Sequence, residues 1–216
     1  MSTYTAGRTD QAMTPRTGSR GPYARTARVR QEIIEAAMAV FAEAGYRATT
    51  MKEIARRVGL TDRAIVHHFP NKEELLLSVL AARESESEQL APRSRGEALA
   101  GMLAIANDNM TRPGLVELHS TLSAEATSTE HPAHEHYTKR YMDFREYLAG
   151  AFAELKQHGE LRFSLEPDEL ASMLIALWDG LQLQWLYDND AVAVQKLLRG
   201  FLDMVAPAAV SQDVTS

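Results

Sequence analysis

The segment TTMKEIARRVGLTDRAIVHHFPNKEE, residues 49–74, contains two short helical patterns separated by a glycine. Thr50 and Glu53 have the spacing of a capping box, in which each side chain satisfies a free backbone amide, so a helix should begin directly after Thr50. Gly59 permits a sharp turn, and Thr61 can cap a second short helix. Two short helices joined by a tight turn form a helix-turn-helix, which this segment is predicted to be.

Small and apolar residues at the expected positions support this prediction. Ala55 has a side chain small enough for the second short helix to cross close to the first. The N-terminal part of such a second helix can enter the major groove of DNA, which is wide enough for a helix. The apolar residues predicted to fix the crossing angle are Ile54, Val58, Leu60, Ile65 and Phe69.

Helical spacing continues on both sides of this segment, and no run of alternating residues is long enough to predict a sheet. All eight prolines lie between the periodic runs or in the N-terminal tail, as expected because proline disrupts a helix interior. The predicted fold class is all-α, with an N-terminal three-helix helix-turn-helix domain and a C-terminal helical ligand-binding and dimerisation domain. The predicted helices span about 25–44, 51–58, 61–68, 71–89, 95–111, 114–127, 133–158, 167–187 and 190–205. The predicted domains are a basic arm at 1–24, the DNA-binding domain at 25–71, the regulatory and dimerisation domain at 72–206 and a tail at 207–216.

Charge is distributed unevenly along the chain. The net charge of -6 would argue against a nucleic-acid partner. Residues 1–80, however, carry 12 Lys or Arg and 8 Asp or Glu, whereas residues 81–216 carry 11 and 21. The N-terminal part is therefore basic, which indicates a polyanionic partner for this part alone.

The composition excludes several classes of protein. The chain has no cysteine, so disulfide scaffolds, Cys-ligated zinc and thiol redox sensing are excluded. No run approaches the roughly 18 apolar residues of a membrane span, and the N-terminus has no apolar stretch typical of a secretory signal, so we expect a cytoplasmic location. The sequence has no G-x-S-x-G, P-loop or G-x-G-x-x-G motif, so no catalytic residue and no cofactor is predicted.

Residues 25–80 resemble the DNA-binding domain of TetR-family transcriptional regulators. The resemblance is carried by IIEAAMAVFAEAGYRATTMKEIARRVGLTDRAIVHHFPNKEELL, which has an apolar first helix, G-Y-x-x-T-T, I-A-x-x-x-G-L-T, a His-Phe near the helix end and N-K-E-E-L-L. The stretch LEPDELASMLIALWDGLQLQWLYDND, residues 165–190, resembles the C-terminal segment common in the family. The resemblance implies a homodimer that binds a palindromic operator in double-stranded DNA, most often as a repressor, and releases it when a small-molecule effector binds the C-terminal domain.

The resemblance also assigns residues that contact DNA. Thr49, Thr50 and Lys72 match family positions that contact phosphate, a role that suits hydroxyl and ammonium groups; for Thr50 a pure helix cap is the alternative. Arg63 is the candidate base contact, because arginine can bond guanine O6 and N7 together, and a solvated or phosphate-facing arginine is the alternative. The family usually has tyrosine at the position of His67, so an imidazole would replace a phenolic phosphate contact. The full predicted set is Thr49, Thr50, Thr61, Asp62, Arg63, Ala64, His67, His68 and Lys72.

An effector pocket is expected among the middle helices. Such sites are mostly apolar with a few polar groups that orient the ligand, here His119, Asn107, Asn109 or Gln182. Ordinary core packing is the competing interpretation of the same residues. The predicted lining is Met102, Leu103, Met110, Leu118, His119, Leu122, Tyr141, Phe144, Trp178 and Gln182.

The last two predicted helices carry apolar stripes near the end of the chain. Two adjacent helices of this kind suit a four-helix interface between two subunits, as the resemblance also implies. Intrachain core is the alternative. The residues predicted at the interface are Leu170, Leu174, Leu177, Leu181, Trp185, Leu197, Leu198, Phe201 and Leu202.

Two further segments have alternative interpretations. His131, His134 and His136 are the densest group of possible metal ligands, which raises the hypothesis of a metal-responsive sensor or a metal-dependent hydrolase. Their spacing lacks the i, i+4 pair of a zinc helix, so a solvated turn and helix start is favoured and no metal site is predicted. The basic arm 1–24 can follow the minor groove or phosphates, or serve only as a solubilising extension.

Overall fold

The structure, a computed structural model, describes residues 22–90, 97–162 and 164–207. Within these ranges all regular structure is helical, which confirms the predicted fold class. In chain order the helices are α1 Pro22–Ala44, α2 Met51–Arg57, α3 Asp62–His68, α4 Lys72–Leu90, α5 Ala98–Met110, α6 Pro113–Glu125, α7 His134–Gln157, α8 Pro167–Tyr187 and α9 Val194–Val205.

The helix ends lie close to those expected from the sequence patterns. Helix α1 begins at Pro22 rather than Arg25, and α9 begins at Val194 rather than near residue 190. Proline is well accommodated in the first turn of a helix, because the amide hydrogen that it lacks has no intrahelical acceptor there. The predicted arm therefore ends in helix, and its remaining residues, 1–21, lie outside the described part of the chain, as do residues 208–216 of the predicted tail.

Two apolar clusters hold the helices together. The first joins the four helices α1, α2, α3 and α4 and includes Phe41, Ile54 and Phe69, all fully buried. It continues into the C-terminal part of the chain through Leu122 of α6 and Tyr137 of α7. The second cluster joins α5, α7, α8 and α9, with Val116 of α6. The division of the chain between residues 71 and 72 stays a prediction, and the first cluster extends well past that point.

α6 crosses α1 at very short distance. A Cβ placed on Gly114 would lie 2.7 Å from the carbonyl oxygen of Ala42 and 2.9 Å from its Cβ. Only glycine allows this approach, because any other residue would overlap backbone atoms. Helix α1, which precedes the helix-turn-helix, is thereby packed directly against α6.

Candidate DNA-binding surface and ligand cavity

The α2–α3 unit is a compact helix-turn-helix. Ile54, Ala55 and Ile65 are fully buried between the two helices. The turn is closed by the amide of Leu60, which donates to the carbonyl of Ala55 at 2.9 Å. Gly59 has a φ of +68°, a conformation that non-glycine residues rarely adopt. The small residue, the turn glycine and the apolar residues predicted from the sequence therefore have the expected roles.

Threonine caps hold the N-termini of both short helices. The Thr50 hydroxyl oxygen accepts from the amide of Glu53, and the Thr61 hydroxyl oxygen accepts from the amide of Ala64, each at 3.2 Å. The predicted reciprocal half of the box is not formed, because the Glu53 carboxylate accepts from Arg56 instead. Both hydroxyls are exposed and can still donate their hydrogen to a phosphate.

The exposed face of α3 presents polar and apolar groups side by side. Asp62, Arg63 and His67 are exposed, and Val66 has 48% of its surface accessible. Ala64 is half-buried. This face therefore offers a guanidinium, an imidazole and a methyl-bearing side chain, the groups that read base edges in the major groove.

A clamp from α1 holds the C-terminal end of α3. The Arg30 guanidinium donates to the carbonyl of His68 at 2.7 Å and lies 3.9 Å from the centroid of the Phe69 ring. It also donates to the Ser78 hydroxyl of α4 at 3.2 Å. Burial, with the charges of His67 and Arg30, lowers the pKa of His68, so the uncharged imidazole is favoured. The half-buried His68 thus belongs to the contact between α1 and the end of α3. The role of Arg30 in this contact was not predicted from the sequence.

Two of the three predicted phosphate contacts are turned inward. Thr49 is 3% exposed, and its hydroxyl donates to the carbonyl of Gly45 at 2.8 Å. The Lys72 ammonium donates to the carbonyls of Tyr46, Arg47 and Thr49 at 3.0, 3.4 and 3.0 Å. Its three hydrogens are therefore directed at the protein, since an ammonium has three donors. In this conformation the Thr49 and Lys72 side chains hold the α1–α2 loop, and of the three predicted phosphate contacts Thr50 alone stays available.

Other cations of the helix-turn-helix unit differ in their partners. Arg56 and Arg57 are paired with Glu53 and Glu43 at the surface, and hydrogen bonding to Arg57 lowers the pKa of Glu43. Exposed pairs of this kind contribute little and exchange readily. Among the described residues 22–80, the lysines and arginines that have no carboxylate or hydrogen-bond partner are Arg25, Lys52 and Arg63.

A cavity of about 360 Å³ lies between α4, α5, α6, α7 and α8, with Met38 of α1 at its wall. The volume is within the usual range for a small-molecule site, roughly 300–1,000 Å³. Seven of the ten predicted pocket residues line it: Met102, Leu118, His119, Tyr141, Phe144, Trp178 and Gln182.

The other three predicted pocket residues have different surroundings. Leu103 and Leu122 are buried in the two apolar cores, and Met110 packs against the C-terminal core. Their helical spacing was compatible with a place in the cavity wall or in the apolar core. For these three residues the competing interpretation, ordinary core packing, is correct. Asn109 also lines the cavity, where it accepts a hydrogen bond from Arg83.

One polar cluster in the cavity is centred on Asp179 of α8. Its carboxylate accepts from the Tyr141 hydroxyl at 2.8 Å and lies 3.7 Å from Nε2 of His119. Burial, together with the charge of Asp179, raises the pKa of Tyr141 to about 12, so its hydroxyl stays protonated and donates. The Tyr137 hydroxyl lies 3.4 Å from the other nitrogen of His119.

A second polar cluster is centred on Glu84 of α4. Its carboxylate lies 3.3 Å from the Arg140 guanidinium and 3.4 Å from Nε2 of His136. Burial lowers the pKa of His136, and the nearby Glu84 charge opposes that shift.

Arg83 of α4 also lines the cavity and forms ion pairs with Glu86 and Asp108. Burial and the charge of Arg112 lower the pKa of Arg83.

Comparisons with known protein families match both parts of the chain. The model described as "Bacterial regulatory proteins, tetR family" matches residues 33–79. The model described as "BetI-type transcriptional repressor, C-terminal" matches residues 92–207, more than half of the chain. The chain belongs to the TetR family. It is a helix-turn-helix transcriptional regulator.

Individual relatives agree with this assignment over nearly their full length. The "Probable HTH-type transcriptional regulator ArpR" of Pseudomonas putida is 30% identical over 192 residues, 82% of this chain and 90% of the relative. The "HTH-type transcriptional repressor AcnR" of Corynebacterium diphtheriae is 28% identical, with 78% and 87% covered. A TetR-family regulator from Agrobacterium tumefaciens has the same fold, with a TM-score of 0.72, 16% identity, and 84% and 99% covered.

The predicted dimer residues of this TetR-family regulator mostly belong to its own core. Leu177 and Phe201 are half-buried, and only Leu197 is exposed. The prediction is wrong for the buried members, because each helix has two apolar stripes and the stronger one faces inward. The buried members are Leu170, Leu174, Leu181, Trp185, Leu198 and Leu202.

The second stripe of α8 and α9 forms an exposed apolar face. It comprises Met173, Leu183 and Tyr187 of α8 with Leu197 and Met204 of α9. The spacing on each helix places these side chains on one side. Gly180 and Gly200 lie on the same sides, with no atom within 4 Å of a Cβ placed on either glycine.

The histidine segment 131–136 of the regulator does not form a metal site. His131 lies 3.8 Å from Glu125, His134 bonds the carbonyl of Ala126, and His136 faces Glu84, so the three rings diverge. Among the described residues, no group of three or more potential ligands could hold a metal ion. The alternative of a metal sensor or hydrolase is not supported. The favoured turn and helix start is present, because α7 begins at His134, but the rings of His131 and His136 are largely buried rather than solvated.

None of the described helices is both long and apolar enough to cross a membrane.

Proposed function

We propose that this regulator is a homodimeric repressor that binds a two-fold symmetric DNA operator through α3 and leaves it when a small molecule occupies the cavity. The observation that carries the proposal is the exposed face of α3, with Arg63 unpartnered among the described residues beside Thr61, Asp62 and His67. The repressor names of the C-terminal family model and of AcnR support repression.

The exposed apolar face of α8 and α9 supports a dimer. A solvent-facing stripe that includes Leu183, Met173 and the 88% exposed Tyr187 is unfavourable in a lone chain. Two copies that pair these faces would form a four-helix interface, and the glycines would allow the helices to approach closely. A two-fold symmetric dimer would carry two copies of α3, and recognition of two half-sites requires two.

Helix α4 links the cavity to the DNA-binding unit. Its first residue, Lys72, holds the loop before α2, and Val79, Leu80 and Arg83 further along the same helix line the cavity. A ligand that displaces the cavity half of α4 would move its N-terminal end, because a helix behaves as a rigid element. Met38 and the close Gly114–Ala42 crossing give α1 a second contact with the same region.

Selection of genomic DNA fragments by the purified full-length protein, followed by footprinting, tests the proposal. We expect one protected region with two half-sites whose centres lie about one helical turn, roughly 10 base pairs, or a multiple apart. Arg63→Ala should weaken the footprint more than it weakens binding to unrelated DNA. The absence of a selective footprint on any genomic fragment would refute the proposal.

A further inference from the structure

One face of α8 points into the cavity. Ile175, Trp178, Asp179 and Gln182 all line it, and their i, i+3, i+4 and i+7 spacing places them on a single side of the helix. Gln182 is only 4% exposed, and its amide has no hydrogen-bond partner among the described residues. The indole N–H of the buried Trp178 also lacks an acceptor there. Because the indole nitrogen has almost no accessible surface, the Gln182 amide is the unpaired polar group that this face offers to a ligand among the described residues.

Among the described residues that line the cavity, every arginine, aspartate and glutamate except Asp179 has an oppositely charged Lys, Arg, Asp or Glu partner. Arg140 is paired with Glu84, and Arg83 with Glu86 and Asp108. The remaining lining carboxylate, Asp143, is paired with Lys139.

Asp179 has no lysine or arginine partner among the described residues. Its hydrogen-bond donor is the neutral hydroxyl of Tyr141, and its other neighbour, His119, carries a charge only when protonated. An anionic ligand would have to break an existing pair of Arg83 or Arg140, whereas a cation would meet a carboxylate that has none.

Aromatic rings line the same cavity as this carboxylate. Tyr141 donates to it, Tyr137 lies 6.4 Å from the Tyr141 ring, and Phe144 meets Trp178 edge to face at 5.7 Å. The faces of aromatic rings attract cations, most strongly where water is excluded. A carboxylate among such rings is the combination that binds an organic ammonium group, and the apolar remainder of the cavity suits an apolar body.

We infer that the effector of this regulator is an amphipathic organic cation, whose amine or quaternary ammonium group lies at Asp179 and whose apolar body contacts Phe144 and Trp178. The inference rests on the proposed function for the role of the cavity, and it goes further by assigning the charge of the ligand. An acceptor atom on the ligand could be reached by the Gln182 amide.

Three probes with one shared apolar body test the sign of the charge. 4-tert-Butylbenzylamine, 4-tert-butylbenzyl alcohol and 4-tert-butylbenzoate differ only in a cationic, a neutral and an anionic end. Calorimetric titration of the full-length protein at pH 8, where an ordinary histidine is mostly neutral, gives the three affinities. We expect the amine to bind at least about tenfold more tightly than the alcohol, because a hydrogen bond to a charged group is stronger than one to a neutral group. The benzoate should bind most weakly.

Asp179→Asn tests the site. The amide keeps the shape and can still accept from Tyr141, so the variant should lose about tenfold in affinity for the amine and little for the alcohol. Glu146→Gln is the matched control, since it removes one carboxylate from the exposed side of α7, outside the cavity lining. Thermal unfolding verifies that both variants are folded.

These titrations test the charge of the ligand and the role of Asp179 without any DNA present. Equal binding of amine and alcohol, tighter binding of the benzoate, binding of none of the three, or an unchanged amine affinity in Asp179→Asn would overturn the inference. Because the titrations contain no operator, such a result would leave the proposed DNA-binding function to be judged by its own footprint.

Discussion

The ammonium nitrogen of Lys72 lies 3.0 Å from the carbonyl oxygen of Tyr46 and 4.4 Å from the centroid of the Tyr46 ring. One side chain thus ties the start of α4 to the loop that precedes the helix-turn-helix. The N-terminal end of the helix that borders the cavity is therefore bonded to the DNA-binding unit itself.

Replacing Lys72 with methionine should weaken folding. The carbonyls of Tyr46, Arg47 and Thr49 would lose their donor, so we expect the free energy of unfolding in denaturant to fall by about 1–3 kcal/mol. Operator affinity should also fall, with an unchanged dependence on salt concentration. A flatter salt dependence would mean that Lys72 leaves Tyr46 and contacts a phosphate in the complex.

Lys52 and Arg63 should differ in their effect on DNA binding. Lys52→Ala should weaken binding to operator and unrelated DNA alike, and it should lower the salt slope by about 0.9 per subunit, the value for one phosphate, or about 1.8 for the proposed dimer. Arg63→Ala should cost about 1–3 kcal/mol per half-site and relax the preference at one base pair. Titrations on operator and scrambled DNA measure both, and an equal decrease in affinity on both DNAs for Arg63→Ala would contradict a base contact.

Gly114→Ala should destabilise the protein. The added methyl group would lie 2.7 Å from the carbonyl oxygen of Ala42, and overpacking of this kind costs about 1–3 kcal/mol. Glu117→Ala, at an exposed position of the same helix, provides a control in thermal unfolding. An unchanged midpoint for Gly114→Ala would show that α6 can move away from α1.

Leu183→Glu should convert dimers to monomers. The change buries a carboxylate in the proposed four-helix interface, where an unpaired charge is strongly unfavourable. Met142→Glu is the control, because Met142 is similarly exposed, at 52% against 50% for Leu183, but lies on α7. Sedimentation equilibrium gives the mass of each variant, and a Leu183→Glu dimer as tight as that of the unchanged protein would rule out this face.

Stability should fall on acidification, in part through His136. Burial lowers its folded-state pKa below the ordinary value of 6.5, despite the neighbouring Glu84, while Arg140 and His119 add to the lowering. The unfolded chain therefore binds more protons, so this contribution is complete above pH 6.5 and is lost as the pH falls through the folded-state pKa. Denaturant unfolding from pH 8 to pH 5 should show a weaker pH dependence for His136→Gln than for His158→Gln, whose histidine is exposed. Equal slopes would contradict this role for His136.

The sequence predicted local structure well because its signals are local. Thr50, Thr61 and Asn71 each precede a helix, and the structure shows each side-chain oxygen accepting from the amide three residues later. Prolines and glycines separate the helices because their backbone preferences act within a few residues. The family pattern of residues 33–76 identified the helix-turn-helix for the same reason.

Side-chain partners could not be predicted from the same patterns. Lys72 and Thr49 matched phosphate-binding positions, yet their donors are directed to loop carbonyls that lie 23 to 26 residues from Lys72 and four residues from Thr49. Leu122 and Leu118 share a helix and a similar character, but only Leu118 lines the cavity. The inward and outward stripes of α8 were likewise indistinguishable by spacing.

The amino-acid sequence by itself determined the all-helical fold, the helix-turn-helix and the family, because capping, turn formation and helical periodicity depend on neighbours in the chain. Only the tertiary structure decided which side chains are available. In the folded chain the Lys72 ammonium donates to loop carbonyls, and the three histidines of residues 131–136 have different partners. Asp179 lines a cavity with aromatic residues and has no lysine or arginine partner in the described part of the chain. Burial and pairing depend on residues that are distant in sequence, so they are set only when the helices pack.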